Sequence, residues 1–188
     1  MKYLIAGLGN VGDKYARTRH NVGFMAVSRF AAQNDMPFVT ERYAMTATVK
    51  IKGQTLVLIK PTTLMNLSGN AVSYWMMIER IPIENVLVIV DDIALSTGVL
   101  RMRPAGNAGG HNGLLHISQI LNTNGYARLR IGIGNDFPKG RQVDYVLGKF
   151  SPDEEIIIQP KLDTVCEMIK SFALAGVEKT MNLYNGII

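Results

Sequence analysis

The chain has 188 residues, 47% of them hydrophobic and 19% charged. That balance excludes extended disorder, and a domain of this length buries roughly 70% of its unfolded surface, so it needs no disulfide or metal staple. The net charge of +5 favours polyanionic partners such as nucleic acid without requiring one. The single cysteine, Cys166, excludes an internal disulfide; beside Val165, Met168 and Ile169 it reads as a buried thiol in a helix. No apolar run approaches the about 18 residues of a membrane span. The opening Met1-Lys2-Tyr3-Leu4-Ile5 has too short an apolar stretch, with no cleavage site, for a secretory leader. One domain over residues 1–188, cytoplasmic and without membrane contact, is the expectation.

In chain order, residues 2–8 read as a buried strand running into a Gly/Asn turn. From Asn21 to about Asn34, apolar residues at Val22, Met25, Val27 and Phe30 follow a helical period. Residues 44–51 and 54–60 are β-rich runs joined by Lys52-Gly53, which predicts a hairpin. Residues 67–80 read as a helix. Val86-Leu87-Val88-Ile89-Val90 is a β-branched run suited to a strand buried on both faces. Residues 99–103 and 128–133 read as strands, with a helix over 113–121 between them, and 143–147 as a last strand. Ser151-Pro152-Asp153-Glu154 carries the marks of a helix start: a capping serine, proline at the first position and a glutamate completing a capping box. That helix runs to about Ala175. Alternating strands and helices predict a three-layer α/β/α sandwich, and the hairpin makes its mostly parallel sheet a mixed one. In such sheets sites form beyond the carboxyl ends of the strands, where the polar clusters after Leu8, Lys60 and Val90 and before Gly113 fall.

Gly7-Leu8-Gly9-Asn10-Val11-Gly12 matches the dinucleotide fingerprint G-x-G-x-x-G. That mechanism needs a helix opening inside the motif and an acidic residue about 20 residues on, to meet pyrophosphate and ribose. The next segment, Asp13-Lys14-Tyr15-Ala16-Arg17-Thr18-Arg19-His20, has no helical period. A tight turn accounts for the glycines better than a cofactor.

Of the three histidines, His20 and His111 lie in polar loops and each precedes an asparagine, while His116 lies inside the apolar 113–121 segment and reads as a partly buried surface residue. Asp91 ends the buried strand, a position from which a carboxylate reaches a strand tip; plain solvation in a loop is the ordinary alternative for it and for Asp92. Asn10, Asn66 and Asn112 each sit in a Gly-containing loop beside a strand or helix end. Singly such asparagines are turn or cap residues. Together with a histidine and an aspartate they suit another task, because an amide both donates and accepts and holds a carbonyl, a water or an oxyanion without adding charge.

Seven segments in order, Gly9-Asn10-x-Gly12, Tyr15-x-x-Thr18-Arg19-His20-Asn21-x-Gly23, Lys60-Pro61-x-x-x-Met65-Asn66-x-Ser68-Gly69, Asp91-Asp92, Gly109-Gly110-His111-Asn112-Gly113-Leu114, Arg128-Leu129-Arg130-x-Gly132-x-Gly134 and Tyr145-Val146-Leu147-Gly148, resemble the bacterial peptidyl-tRNA hydrolases over essentially the whole chain. The resemblance implies a monomeric α/β/α sandwich, without metal or cofactor, that cuts the ester between a peptide and the 3′-terminal ribose of tRNA. It implies that His20 activates water, that Asp91 orients His20, and that Asn10 positions the histidine and the ester. Asn66, Asn112 and His111 would then meet the peptide and the tRNA 3′ end, with Tyr15 and Met65 lining the pocket. Arg103 and Arg130 stand where relatives meet tRNA phosphate, and Lys139 and Arg141 lie in a loop that is basic in relatives; solvated surface is the alternative for all four. Five positions depart from the family pattern: Val11 replaces a proline, Ala94 an acidic residue, Ser96-Thr97 a proline-rich pair and Leu115 a lysine.

Two other readings compete. A serine esterase would use Ser68, whose context Met65-Asn66-Leu67-Ser68-Gly69 lacks the G-x-S-x-G elbow. A non-catalytic RNA-binding protein would retain the fold without the chemistry.

Overall fold

The computed structural model describes residues 1–186. Those residues form a seven-stranded sheet in the order β2-β3-β4-β1-β5-β7-β6. Its strands are β1 (Lys2–Gly7), β2 (Val39–Glu41), β3 (Ala44–Ile51), β4 (Gln54–Pro61), β5 (Val86–Asp92), β6 (Leu100–Arg103) and β7 (Ala127–Gly132). The central strands β4, β1, β5 and β7 are parallel. The expected hairpin pairs β3 with β4 antiparallel, and β2 and β6 close the two edges, also antiparallel.

Strand alternation sorts the core into two layers. From β1, Tyr3 and Ile5 join Val22, Phe30, Leu162 and Phe172 on one face, packed by α1 (Val22–Gln33) and α5 (Pro152–Ala175). Leu4 and Ala6 join Val72, Trp75 and Leu114 on the other, packed by α2 (Ser68–Glu79) and α3 (Asn112–Leu121). The β5 run is buried on both faces, as its β-branched composition predicts. The α5 start is the expected capping box: Glu154 N–H donates to Ser151 Oγ and Ser151 N–H to Glu154 Oε2. No helix among the described residues is long and apolar enough to cross a membrane.

One element differs from its expected type. Residues 143–147 are not a strand; they lie in and just after a short helix, α4 (Gln142–Val146). A five-residue apolar run carries too little periodicity to separate the two. At helical spacing Val143, Val146 and Leu147 fall on one face, and all three line a cavity. Two further elements fall outside the sequence expectation. Strand β2 is three residues long and exposed throughout, so it has no buried face to betray it. Helix α6 (Val177–Tyr184) buries only Thr180 fully and packs Val177, Met181 and Tyr184 partly against the core; just beyond it, Asn185 exchanges two hydrogen bonds with the Met102 backbone of β6.

Candidate active site

The ends of β1, β4 and β5 and the start of α3 meet at one edge of the sheet. They can meet because side chains are absent where α1 approaches the sheet. A Cβ on Gly7 would collide with the carbonyl of Gly23, and one on Gly23 would collide with Ile89 O and lie 2.6 Å from Leu8 N. The glycine-rich turn is therefore a packing device. The chain after it forms a 3-10 turn over Asp13–Tyr15, and no helix opens inside the motif as a dinucleotide would need. A second 3-10 turn, Arg19–Asn21, leads into α1 and sets His20 against the tip of β5.

There Asp91 is 4% exposed and held by two imidazoles. His20 Nδ1 lies 2.9 Å from each carboxylate oxygen, and His111 Nε2 lies 2.9 Å from Oδ1. The tautomers follow from the other contacts. His111 Nδ1 accepts the N–H groups of Gly113 and Leu114, so it caps α3 and its proton must sit on Nε2, donated to Asp91. A neutral His20 donates from Nδ1 and keeps a free lone pair on Nε2. Burial alone would raise the Asp91 carboxyl, but the charge and hydrogen bonds of His111 and His20 outweigh it and hold the group at about 2. One N or O atom from each of these three residues lies within 4.8 Å of the others, and His20 Nδ1, His111 Nε2 and the Asp91 carboxylate are engaged with one another in the hydrogen bonds just described.

Asn10 is fixed from three directions. Asn21 clasps its backbone, accepting from its N–H and donating to its carbonyl, both at 2.8 Å. Its own Oδ1 accepts the Met65 N–H at 2.8 Å. The carbonyl side of the amide is thus taken, and the NH₂ side remains. Asn66 and Asn112 are exposed, and among the described residues neither side chain has a hydrogen-bond partner. His20, Asp91, His111 and all three asparagines line a cavity of about 340 Å³, whose apolar wall includes Leu64, Met65, Ile93 and the α4 face. The cavity thus pairs a basic imidazole nitrogen with several uncharged donors and an apolar surface, the equipment for adding water to a carbonyl.

The sequence profile of the family described as Peptidyl-tRNA hydrolase matches residues 4–187. The chain belongs to the peptidyl-tRNA hydrolase family. It is 55% identical to the peptidyl-tRNA hydrolase of Bacteroides fragilis over 185 residues, which covers 98% of this chain and 99% of that one. The corresponding protein of Porphyromonas gingivalis is 54% identical, with coverage of 98% and 100%. The crystal structure of the peptidyl-tRNA hydrolase of Acinetobacter baumannii superposes with a TM-score of 0.92 at 34% identity, covering 98% of this chain and 94% of that one. The chain is an enzyme of this family, with the family's mixed-sheet fold.

The hydrolase motifs scatter more widely than the cavity. Tyr15 is half-buried on the first 3-10 turn, under the Lys14 ammonium, and is not among the cavity-lining residues. Arg103 is exposed on the edge strand β6. Lys139 is exposed in the loop after β7, and Arg141 pairs with Asp144 in full solvent. Arg130 lines the cavity but is engaged at home, with Asp92 at 3.3 Å and the Asn107 carbonyl at 2.7 Å.

Ser68 is fully buried, donates to the Met65 carbonyl at 2.7 Å and opens α2; it is a turn residue in this hydrolase fold. Ala94 leaves its loop with Asp92 as the supporting carboxylate, which accepts the Ala94 N–H at 2.8 Å.

Three residues that build the site do not stand out in the sequence. Asn21 enters there only as part of a motif. Arg128 is fully buried, and its guanidinium donates to the carbonyls of Gly106, Asn107, Asn124 and Tyr126, bracing the loop that precedes His111. Arg19 pairs with Glu154 through two nitrogens, donates to Tyr145 O and stacks 4.1 Å from the Tyr145 ring. It ties the His20 turn to α4 and to the start of α5. A charged residue, whether on a turn like Arg19 or on a strand like Arg128, gives no sign in sequence that it will be buried, so only the motifs around the two mark them.

Proposed function

We propose that the chain, as a monomeric single domain, cuts the ester between a peptide and the 3′-terminal ribose of tRNA by a water-based mechanism. The observation that carries this reading is the His20–Asp91–His111 array at a cavity shared with Asn10, Asn66 and Asn112. Nε2 of His20 takes a proton from water as its oxygen attacks the ester carbonyl. Asp91 keeps the Nδ1 proton in place and stabilises the imidazolium that forms, the role of the acid in a catalytic triad with water replacing the serine. The tetrahedral intermediate then expels the ribose 3′-oxygen, which recovers the proton from His20. The products are a free peptide carboxylate and tRNA. A positioned base contributes about 10²- to 10⁴-fold and an aimed oxyanion donor about 10²- to 10³-fold. The Asn10 NH₂, held by the Met65 bond at its other side, suits the donor role.

Asn66 and Asn112 offer unpartnered amides to the acyl group. An N-acylated substrate satisfies them with its peptide bond, whereas a free charged amine leaves them unpaired, and such a mismatch discriminates strongly. Arg103, Lys139 and Arg141 are the exposed cations for tRNA phosphates.

Release of tRNA from an N-acetylated aminoacyl-tRNA tests the reading, with unacetylated aminoacyl-tRNA and His20→Ala as controls. Acyl-dependent turnover that collapses in the variant is expected. Tight tRNA binding by a folded wild type without turnover would leave the RNA-binding alternative, and loss of activity in Ser68→Ala with structure intact would reopen the serine mechanism.

A further inference from the structure

Helix α2 begins without a cap of its own. Its N-cap residue is Leu67, whose side chain has no acceptor, although the first-turn N–H groups of a helix need one. The Gly69 N–H donates instead to Nδ1 of His116, at 2.9 Å, from the middle of α3. A Cβ at position 69 would lie 2.7 Å from His116 O, 2.8 Å from its Nδ1 and 2.9 Å from Ile120 Cγ1. Only glycine lets α3 come this close, and the imidazole then stands where water would otherwise meet the N–H. To accept, Nδ1 must be unprotonated, so the His116 proton sits on Nε2.

The turn closed by this bond is the one that carries Asn66. Three side-chain hydrogen bonds pin it: Met65 N–H to Asn10 Oδ1, Ser68 Oγ to Met65 O, and Gly69 N–H to His116 Nδ1. The first ties it to the β1 loop, the second closes it on itself, and the third ties it to the helix that also carries His111 and Asn112. Asn66 has no hydrogen bond of its own among the described residues, so its place at the cavity wall is set by the turn beneath it.

We infer that His116 is a positioning residue for the reaction: it caps α2 from the neighbouring helix and so sets Asn66, in register with Asn112, for the acyl group. The inference rests on the proposed role of Asn66. It also assigns a task to the one histidine that the His20–Asp91–His111 array does not use.

The test compares His116→Leu with His116→Asn, whose Oδ1 occupies the same δ position as the imidazole acceptor. Amide exchange at Gly69 reports the cap directly, and KM and kcat on N-acetylated aminoacyl-tRNA report its consequence. In His116→Leu, Gly69 exchange accelerates about 10-fold and KM rises about 3- to 10-fold, the range expected for one lost cap, while the pH dependence of kcat is unchanged. His116→Asn recovers both. In an Asn66→Ala background, His116→Leu adds no further rise in KM. Unchanged Gly69 protection in His116→Leu, an Asn variant that is folded but no better than Leu, or an additive KM effect on Asn66→Ala would each overturn the inference. A wild type that hydrolyses nothing would instead overturn the hydrolase mechanism, and Gly69 exchange would still decide whether His116 is the cap.

Discussion

His20 and His111 hold the same carboxylate through opposite ring nitrogens, Nδ1 in one and Nε2 in the other, each 2.9 Å from Asp91. The asymmetry divides their work. His111 has no nitrogen left, because its Nδ1 caps α3. His20 keeps Nε2 for the cavity. One aspartate thus fixes the proposed base and, through His111, the helix that presents Asn112.

Removing the base and removing its orienting group should give distinguishable kinetics. His20→Ala lowers kcat by about 10²- to 10⁴-fold, the worth of a general base. Asp91→Asn also lowers kcat, because an amide no longer dictates the Nδ1–H tautomer, and KM changes little in either. The proposed step needs His20 Nε2 unprotonated, so a chemistry-limited rate that does not fall in acid would remove His20 from the mechanism.

His111→Ala should cost stability as well as rate. It strips the N-cap of α3, worth about 1 kcal/mol, and takes one of the two donors from Asp91. His111→Asn keeps the cap, since Oδ1 replaces Nδ1, but cannot reach Asp91 as Nε2 does. Thermal unfolding of the two variants, read beside their kcat, separates the cap from the carboxylate contact; equal midpoints would show that the cap is not what His111 provides.

The Asp91 carboxyl also makes a signed prediction for stability. In the folded chain it is held at about 2, below the ordinary aspartate value of about 3.9. A depressed acid contributes stability that is complete above its unfolded value and is lost as pH falls through its folded one. Wild type should therefore lose about 2 kcal/mol between roughly pH 4 and pH 2, and Asp91→Asn should lose less over that window in acid-titrated chemical denaturation.

Arg19 should act on substrate binding through the wall of the cavity. Arg19→Met leaves Glu154 and the Tyr145 carbonyl without their guanidinium partner, at about 1–3 kcal/mol. With α4 loosened, KM rises while the pH dependence of kcat stays as it was. A shift in that pH dependence would place the effect of Arg19 on the base instead of the wall.

The basic residues divide by their partners. Arg103 is exposed on β6, so Arg103→Ala should raise KM and flatten the logarithmic salt dependence of binding by about one unit, as for one lost phosphate contact. Arg130 is tied to Asp92 and Asn107, and Arg130→Ala should also lower the unfolding midpoint. Identical salt slopes for wild type and Arg103→Ala would remove that residue from the tRNA surface.

Much of this is legible in the chain. The β5 run, the capping box at Ser151 and the helical period from Val22 speak for themselves because burial on a regular element imposes a period on the residues. The motif order points to the family, and His20, Asp91, Asn10, Asn66 and Asn112 do meet at one cavity. The same grounds put Tyr15 in that pocket, and it lies outside the lining. The Val143–Leu147 segment reads as a strand because five residues hold too little of either period.

By itself the sequence determined the layers of the sandwich, the family and the residue types at the site, since these depend on local periodicity and on side-chain chemistry. Only the tertiary structure decided the pairings: that His111 and His116 cap helices with their Nδ1 atoms, that Arg130 faces Asp92, and that Arg128 is buried among carbonyls. His111 caps the helix it opens, but the other contacts join residues from separate elements, and their hydrogen bonds depend on how closely two backbones approach. That approach is set here by Gly7 against Gly23 and by Gly69 against α3. A glycine in a sequence marks a place where backbones can come close, and the fold decides which ones do.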